Sequence, residues 1–324
     1  VQSCRELAVA FPFFKEQLVH FVTLFEKLGL SHSLRNDLLT NSKMLSYQFG
    51  GSAVDESAAQ LFIYQVSTGR LLIHLGLHCG AVLGHSFGEI SAACVAQVID
   101  DEAAIRLVHE RVSLQQQSAR DNPGQMCAWR GLTCEQAQPF VSKYPLLSIA
   151  CFNTSNSIVL AGEQHQLQDC VAEIKSSVAD CKEFLLPIGC AFHSPLLDAS
   201  VPLLVQRVAQ FLTPSPLHLR FFSTVTGREM IDYNDFAAAY WGKQLRNPVL
   251  FSTAIQKAEE HGFDSFIEIG PKALLAYYVK ELVNEKSLVL ASGQGVPVVF
   301  ESLWEHGINV AIASTSLLPS TVPF

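Results

Sequence analysis

Charge is scarce in this 324-residue chain: Lys, Arg, Asp and Glu make up 16% of it, against 49% apolar residues. That balance excludes a disordered or fibrous chain and describes a well-buried globular enzyme. The charge present sums to −8, so a nucleic-acid partner finds no electrostatic support. The nine cysteines contain no Cys-x-x-Cys pair and no His–Cys ligand spacing, which argues against a disulfide framework. Scattered thiols with apolar neighbours fit a reduced, cytoplasmic protein. No apolar run reaches the roughly 20 residues of a membrane span; the stretch from Leu71 to Gly84 is broken by His74 and His78. The opening, VQSCRELAVAFPFFKE, lacks the basic-then-apolar order of a signal peptide. It also lacks an initiator Met, as expected of a piece of a longer chain.

What the chain does have is alternating periodicity. Ala58 to Leu75 carries Leu61, Phe62, Val66, Leu71 and Leu72 at helical spacing. Gly80–Leu83 then reads as a buried strand and Ile90–Val98 as an Ala-rich helix. Acidic residues open a further helix over Asp101–Ser118. Its apolar stripe (Ala104, Leu107, Val108, Leu114) has Arg111 on or beside it, an unusual place for a guanidinium. Composition changes at Asn122-Pro123-Gly124. A strand (Met126–Trp129), a helix (Cys134–Lys143), two strands (Leu146–Phe152, Ser157–Gly162), a helix (Gln164–Ala179) and a strand (Lys182–Ile188) follow, the βαββαβ order of a ferredoxin-like unit. After Cys190 come a helix over Ser194–Leu212, a β-rich stretch over His218–Val225, helices from Phe236 and over Phe251–His261, a strand over Asp264–Ile269 and a helix over Ala273–Val283.

The expected fold class is therefore α/β. Residues 1–123 and 191–316 would form a large, hydrolase-like subdomain with a parallel-sheet core. Residues 124–190 would be an inserted, smaller ferredoxin-like subdomain, and 317–324, with two prolines, the start of a linker.

Gly84-His85-Ser86-Phe87-Gly88 is a G-x-S-x-G sequence placed where a buried strand meets a helix. A serine on so sharp a turn has strained backbone angles, and its hydroxyl stands at a helix N-terminus whose amides can stabilise an oxyanion. The flanking glycines are expected to prevent collision with strand and helix. G-x-S-x-G also arises by chance; the strand before, the helix after and the adjoining Glu89 set this one apart. A serine nucleophile needs a base. Among eleven histidines, His193 in Cys190-Ala191-Phe192-His193-Ser194-Pro195 stands where the small unit returns to the large one, and such junctions line clefts.

Eight segments in order extend the pattern: GHSFGE (84–89), ERVSLQQQ (110–117), GQMCAW (124–129), FNTSNSIVLAGE (152–163), CAFHSP (190–195), FFSTVTG (221–227), YWGKQLRNPVLF (240–251) and FIEIGP (266–271). Together they resemble the acyltransferase family that includes malonyl-coenzyme A:acyl-carrier-protein transacylases and the acyltransferase domains of type I polyketide and fatty acid synthases. The resemblance implies Ser86 as nucleophile and His193 as its base. It implies that a backbone carbonyl, matched to Gln244, orients that histidine. It gives Phe87 an amide in the oxyanion hole, Arg111 the substrate carboxylate and Gln60 a place in the pocket. Asn153 matches an Asn of the small unit that either holds a turn or touches substrate. CAFH resembles the HAFH signature of malonyl-selective members, with Phe192 narrowing the pocket where an α-methyl would sit, and the bulk of Phe87 points the same way. Independently, Arg111 on an apolar face needs an anion, either a substrate carboxylate or an internal one such as Glu89.

The implied activity moves a malonyl or related acyl group from coenzyme A, through an acyl-serine, to the phosphopantetheine thiol of an acyl carrier protein in polyketide or fatty acid biosynthesis. Implied partners include a ketosynthase and other domains of one polypeptide; neither a metal nor a bound redox cofactor, and no membrane, is implied. The chain departs from the family pattern in opening just after the strand and GQG-type loop that complete the oxyanion hole. Gly293-Gln294-Gly295 lies in a C-terminal loop and reads as coincidence. Gln115-Gln116 stand where Met-Gln is usual, and Cys190 where His is. Missing one oxyanion donor costs about 10²–10³ in rate, so an inactive scaffold domain is one alternative. A serine hydrolase is another, although the α/β-hydrolase order puts its His near the C-terminus; an editing acyl hydrolase would share the same dyad.

Overall fold

Apolar side chains make Val54–His74 one long helix buried on nearly every side, with Phe62, Ile63, Val66 and Leu71 wholly buried. Phe62 meets Phe21 of the helix Pro12–Lys27 edge to face, with ring centroids 5.5 Å apart. The computed structural model describes residues 4–29, 34, 38 and 54–308. The expected linker over 317–324, and the end of the large subdomain before it, lie outside the described residues.

Against these helices lies a short sheet in which β1 (Ala81–Leu83) runs parallel to β6 (Arg220–Ser223), with β7 (Arg228–Met230) antiparallel at its edge. A second parallel pair joins β8 (Ser265–Glu268) to β9 (Leu288–Ala291). The ferredoxin-like order is present as expected. The strands β2 (Gly124–Arg130), β3 (Leu147–Thr154), β4 (Ser157–Glu163) and β5 (Lys182–Leu185) form an antiparallel sheet in the order β3-β4-β2-β5.

Strand alternation gives that sheet two different faces. Cys127 and Trp129 pack on Leu167, Cys170 and Ile174 of the helix Gln164–Ser177. Met126, Ala150 and Val159 pack instead on Phe251 and Ile255 of the helix Phe251–Glu260 and on Val279. This second face ties the sheet to the rest of the chain, and Val249 extends β3 through backbone bonds with Ala150 and Phe152. The nine cysteines are all free thiols, five of them buried. Among the described residues no helix is long and apolar enough to cross a membrane.

Two expected helices differ from the sequence reading for identifiable reasons. The stretch Ser194–Leu212 splits into a single turn, Pro195–Leu197, and a helix, Ser200–Val208. Pro202 falls in the first turn of the latter, the one place where a missing N–H costs nothing. The helix expected from Ala273 begins at Ala276, because the Glu268 carboxylate accepts the N–H groups of Leu274, Leu275 and Ala276 and so caps it there.

The turn between β1 and the helix Gly88–Val95 needs glycine at one position rather than two. A Cβ on Gly84 would lie 2.2 Å from the Glu89 nitrogen and 2.2 Å from the Gly88 carbonyl carbon, whereas one on Gly88 would meet nothing within 4 Å. The expectation of a collision on both sides is corrected accordingly: Gly88 opens the helix facing free space. Gly84→Ala is thus expected to lower the unfolding free energy by about 3 kcal/mol, the upper end of overpacking costs. Gly88→Ala should be neutral or stabilise by up to about 1 kcal/mol. Chemical denaturation of the two variants checks both.

Candidate active site

β1 ends at Leu83 and the next helix begins at Gly88, so the chain reverses over four residues with Ser86 among them at φ 50°. A left-handed backbone costs a non-glycine residue about 1–2 kcal/mol. Here that strain lifts the hydroxyl out of the turn and over the start of the helix. The Ser86 hydroxyl donates to His193 Nε2 at 2.6 Å. His193 Nδ1 donates to the Asn247 carbonyl at 2.7 Å. A carbonyl only accepts, so Nδ1 carries the ring proton and Nε2 presents its lone pair to the serine.

His193 is also left-handed, at φ 58°, and its own carbonyl accepts from Ser148 Oγ of β3 at 2.7 Å. The base is thus held from both subdomain cores at once. The carbonyl that orients it belongs to Asn247, not to Gln244 as expected. Gln244 lies within the helix Ala238–Arg246, where its carbonyl runs along the helix axis. Asn247 ends that helix at φ −73°, ψ 157°. Pro248 disfavours the helical conformation for the residue before it, and the extended Asn247 turns its carbonyl outward. Gln244 acts through its side chain instead, Nε2 donating to the Ser86 carbonyl at 2.7 Å.

Arg111, on the helix Asp101–Asp121, is only 2% exposed. Its Nη2 donates to Ser86 Oγ at 3.4 Å, and its Cζ stands 5.5 Å from the centre of the Phe87 ring. Glu89, the internal carboxylate considered for it, is engaged elsewhere. Glu89 accepts from the Thr224 N–H at 2.6 Å, from Thr224 Oγ1 at 3.0 Å and from the Tyr240 hydroxyl at 2.9 Å.

Burial, then the nearby Arg111 charge, push the His193 imidazole down to about 3, with the Asn247 bond opposing. The ring is therefore neutral and competent as a proton acceptor. Burial pushes the Glu89 carboxyl up to about 7, against the donors of Thr224, Tyr240 and Val225 that favour its ionised form. The Cys190 thiol is pushed up to about 12 by burial despite Arg111, and donates weakly to the Gln115 carbonyl at 3.7 Å.

The remaining expected residues fall as follows. Phe87 is buried as the residue before the helix Gly88–Val95, its amide ahead of those of Gly88, Glu89 and Ile90, which bond back into the turn. Phe192, half-buried, packs on the apolar cluster between the small sheet and the helix Phe251–Glu260. The Asn153 Oδ1 accepts from His85 Nε2 at 2.9 Å, fixing the residue beside the nucleophile. Gln60 lies half-buried on the helix Val54–His74 and shares none of the bonds described above. Gly293 and Gln294 form a tight turn packed on the backbone of Gly270 and Lys272.

Comparison with known proteins points one way. A family model described as acyl transferase domain matches residues 34–297. Erythronolide synthase EryA2 from Saccharopolyspora erythraea is 32% identical over 278 residues, 84% of this chain. The chain spans 7% of that relative's length. The acyltransferase domain from the second module of the salinomycin polyketide synthase is 27% identical with a TM-score of 0.83, over 96% of this chain and 71% of the other. The malonyl CoA-acyl carrier protein transacylase from Clostridium perfringens, 24% identical, shares the fold with a TM-score of 0.82, over 95% of this chain and 94% of the other. With a matched model over most of its length and a strained serine against a neutral histidine, the chain belongs to the acyl transferase domain family.

Proposed function

We propose that this chain moves a malonyl group from coenzyme A to an acyl carrier protein, in the cytoplasm, as one stretch of a larger polyketide or fatty acid synthase. The observation that carries the reading is a single oxygen. Ser86 Oγ lies 2.6 Å from a base that can take its proton and 3.4 Å from a buried guanidinium that can hold a carboxylate.

In the first half-reaction, Ser86 Oγ attacks the thioester carbon while His193 Nε2 takes its proton. The Phe87 amide receives the developing oxyanion. The C–S bond then breaks, and the departing coenzyme A sulfur takes the proton from His193. In the second, a phosphopantetheine thiol on the carrier protein gives its proton to His193 and attacks the ester. The C–Oγ bond breaks and the proton returns to Ser86. Arg111 pairs with the malonyl carboxylate throughout, a geometry guanidinium suits. That pairing also offsets the cation that holds down the basicity of His193, so a substrate with a carboxylate strengthens its own catalytic base. Phe192 and Phe87 crowd the α-carbon. Other domains of the synthase, a ketosynthase among them, would use the loaded carrier.

Two outcomes test this reading. With malonyl- and acetyl-coenzyme A compared, Arg111→Ala is expected to lower kcat/KM for malonyl transfer on the order of 100-fold, the worth of a charge-assisted pair, and to leave acetyl transfer unchanged or raised. Equal losses for both substrates would contradict the carboxylate role, and release of free malonate in preference to transfer would make the chain a hydrolase. The second outcome concerns pH. A base works only unprotonated, and an ordinary imidazole near 6.5 loses about tenfold in activity per pH unit below that value. With His193 at about 3 in the free chain, kcat/KM for coenzyme A release should stay level as pH falls from about 8 to about 5. A decline setting in near 6.5 in step with His193 protonation, followed by NMR, would overturn it.

A further inference from the structure

Two attachments to the catalytic pair, and a third to the neighbouring Glu89, come from one short helix and its cap. Tyr240 and Gln244 stand four residues apart on one face of Ala238–Arg246, and Asn247 is the C-cap that ends it. The Tyr240 hydroxyl reaches Glu89, in the first turn of the helix that follows the elbow, at 2.9 Å. Gln244 Nε2 reaches the Ser86 carbonyl at 2.7 Å. The Asn247 carbonyl holds His193 at 2.7 Å. The Ser86 carbonyl is gripped twice, since the Glu89 N–H also donates to it at 3.0 Å.

The stripe is itself rigid. Tyr240, Gln244 and Trp241 are 5%, 2% and 0% exposed, and Trp241 Nε1 donates to the Phe236 carbonyl. Ser223 Oγ, 2.8 Å from the Tyr240 oxygen, ties the same helix to β6. Beside it, Thr224 Oγ1 donates to the Gly84 carbonyl at 2.9 Å. Both carbonyls that bracket His85, those of Gly84 and Ser86, are therefore held by side chains from 224–244. Nothing in a strand–turn–helix alone requires this. A left-handed serine persists only where its surroundings over-determine it.

We infer that Tyr240, Gln244 and Asn247 form a positioning stripe that sets the distance between Ser86 and His193, with Gln244 the positioning residue for the nucleophile. Because nucleophile and base both hang from this helix and its cap, their separation is set by one short segment rather than by packing between distant loops. The inference rests on the reading of Ser86 and His193 as the reacting pair. It makes no use of which acyl group is carried.

Gln244→Met keeps length and burial and removes the donor. Its test is the rate at which phenylmethylsulfonyl fluoride sulfonylates Ser86, followed by intact mass, alongside kcat and KM with malonyl-coenzyme A. The inference predicts a slowing on the order of 10–100-fold in sulfonylation and in kcat, the range for a misplaced reacting group, with KM within about twofold. It predicts no further slowing when Gln244→Met is added to His193→Ala, read over hours, because the residue acts only through the pair. Tyr240→Phe should slow the reaction in the same sense and with the same dependence on His193. Equal slowing in both backgrounds would reduce Gln244 to a structural role and overturn the inference, as would an unchanged rate in Gln244→Met whose melting midpoint matches the parent. Sulfonylation without turnover of malonyl-coenzyme A would overturn the substrate assignment and leave the positioning stripe standing. No labelling of the unmodified chain would overturn both.

Discussion

The structure turns on a serine held at φ 50°, with the base it meets held at φ 58°. Neither conformation is favourable alone. The strain is offset by bonds that converge on the two residues from widely separated parts of the chain. Thr224 and Gln244 hold the carbonyls on either side of His85, Asn153 holds the His85 ring, and Ser148 holds the carbonyl of His193. Much of the interior polar chemistry of the chain is spent here. The apolar cores around it supply the rigidity that keeps these bonds short.

That arrangement also decides the electrostatics. A buried guanidinium beside a buried imidazole is a combination that favours a neutral ring, and the ring stays neutral. The site is thereby set to accept a proton. On the proposed function, an acyl group that carries its own carboxylate would pair with that guanidinium. On the proposed function, selectivity and base strength are two consequences of one cation placed next to one hydroxyl, on the apolar side of its helix where solvent screens it little.

The parts of this account that were legible in the sequence are those written locally. The elbow shows as an apolar run, a Gly-flanked serine and an Ala-rich helix within twenty residues. Arg111 shows because a charge interrupts an apolar stripe of known period. The βαββαβ unit shows because each element is long enough to display its own periodicity; three-residue β7 is not, and went unread. The carbonyl facing His193 was matched to Gln244 on the family resemblance alone, although Pro248 carries the signal that Asn247 must leave the helix. The side-chain role of Gln244 could not be read at all. It depends on a contact across 158 residues that only the packed structure brings together. The same holds for Gly88, whose freedom is a property of the space around it.

The central claim is that Ser86 carries the acyl group between donor and acceptor. It is tested most directly by incubating the chain with malonyl-coenzyme A, stopping the reaction in acid and reading the intact mass and the labelled peptide. The account predicts one malonyl group per chain, on the peptide containing Ser86, absent from Ser86→Ala and discharged when a carrier-protein thiol is added. A malonyl group that persists on the folded Ser86→Ala variant, or that maps to another peptide, would contradict it.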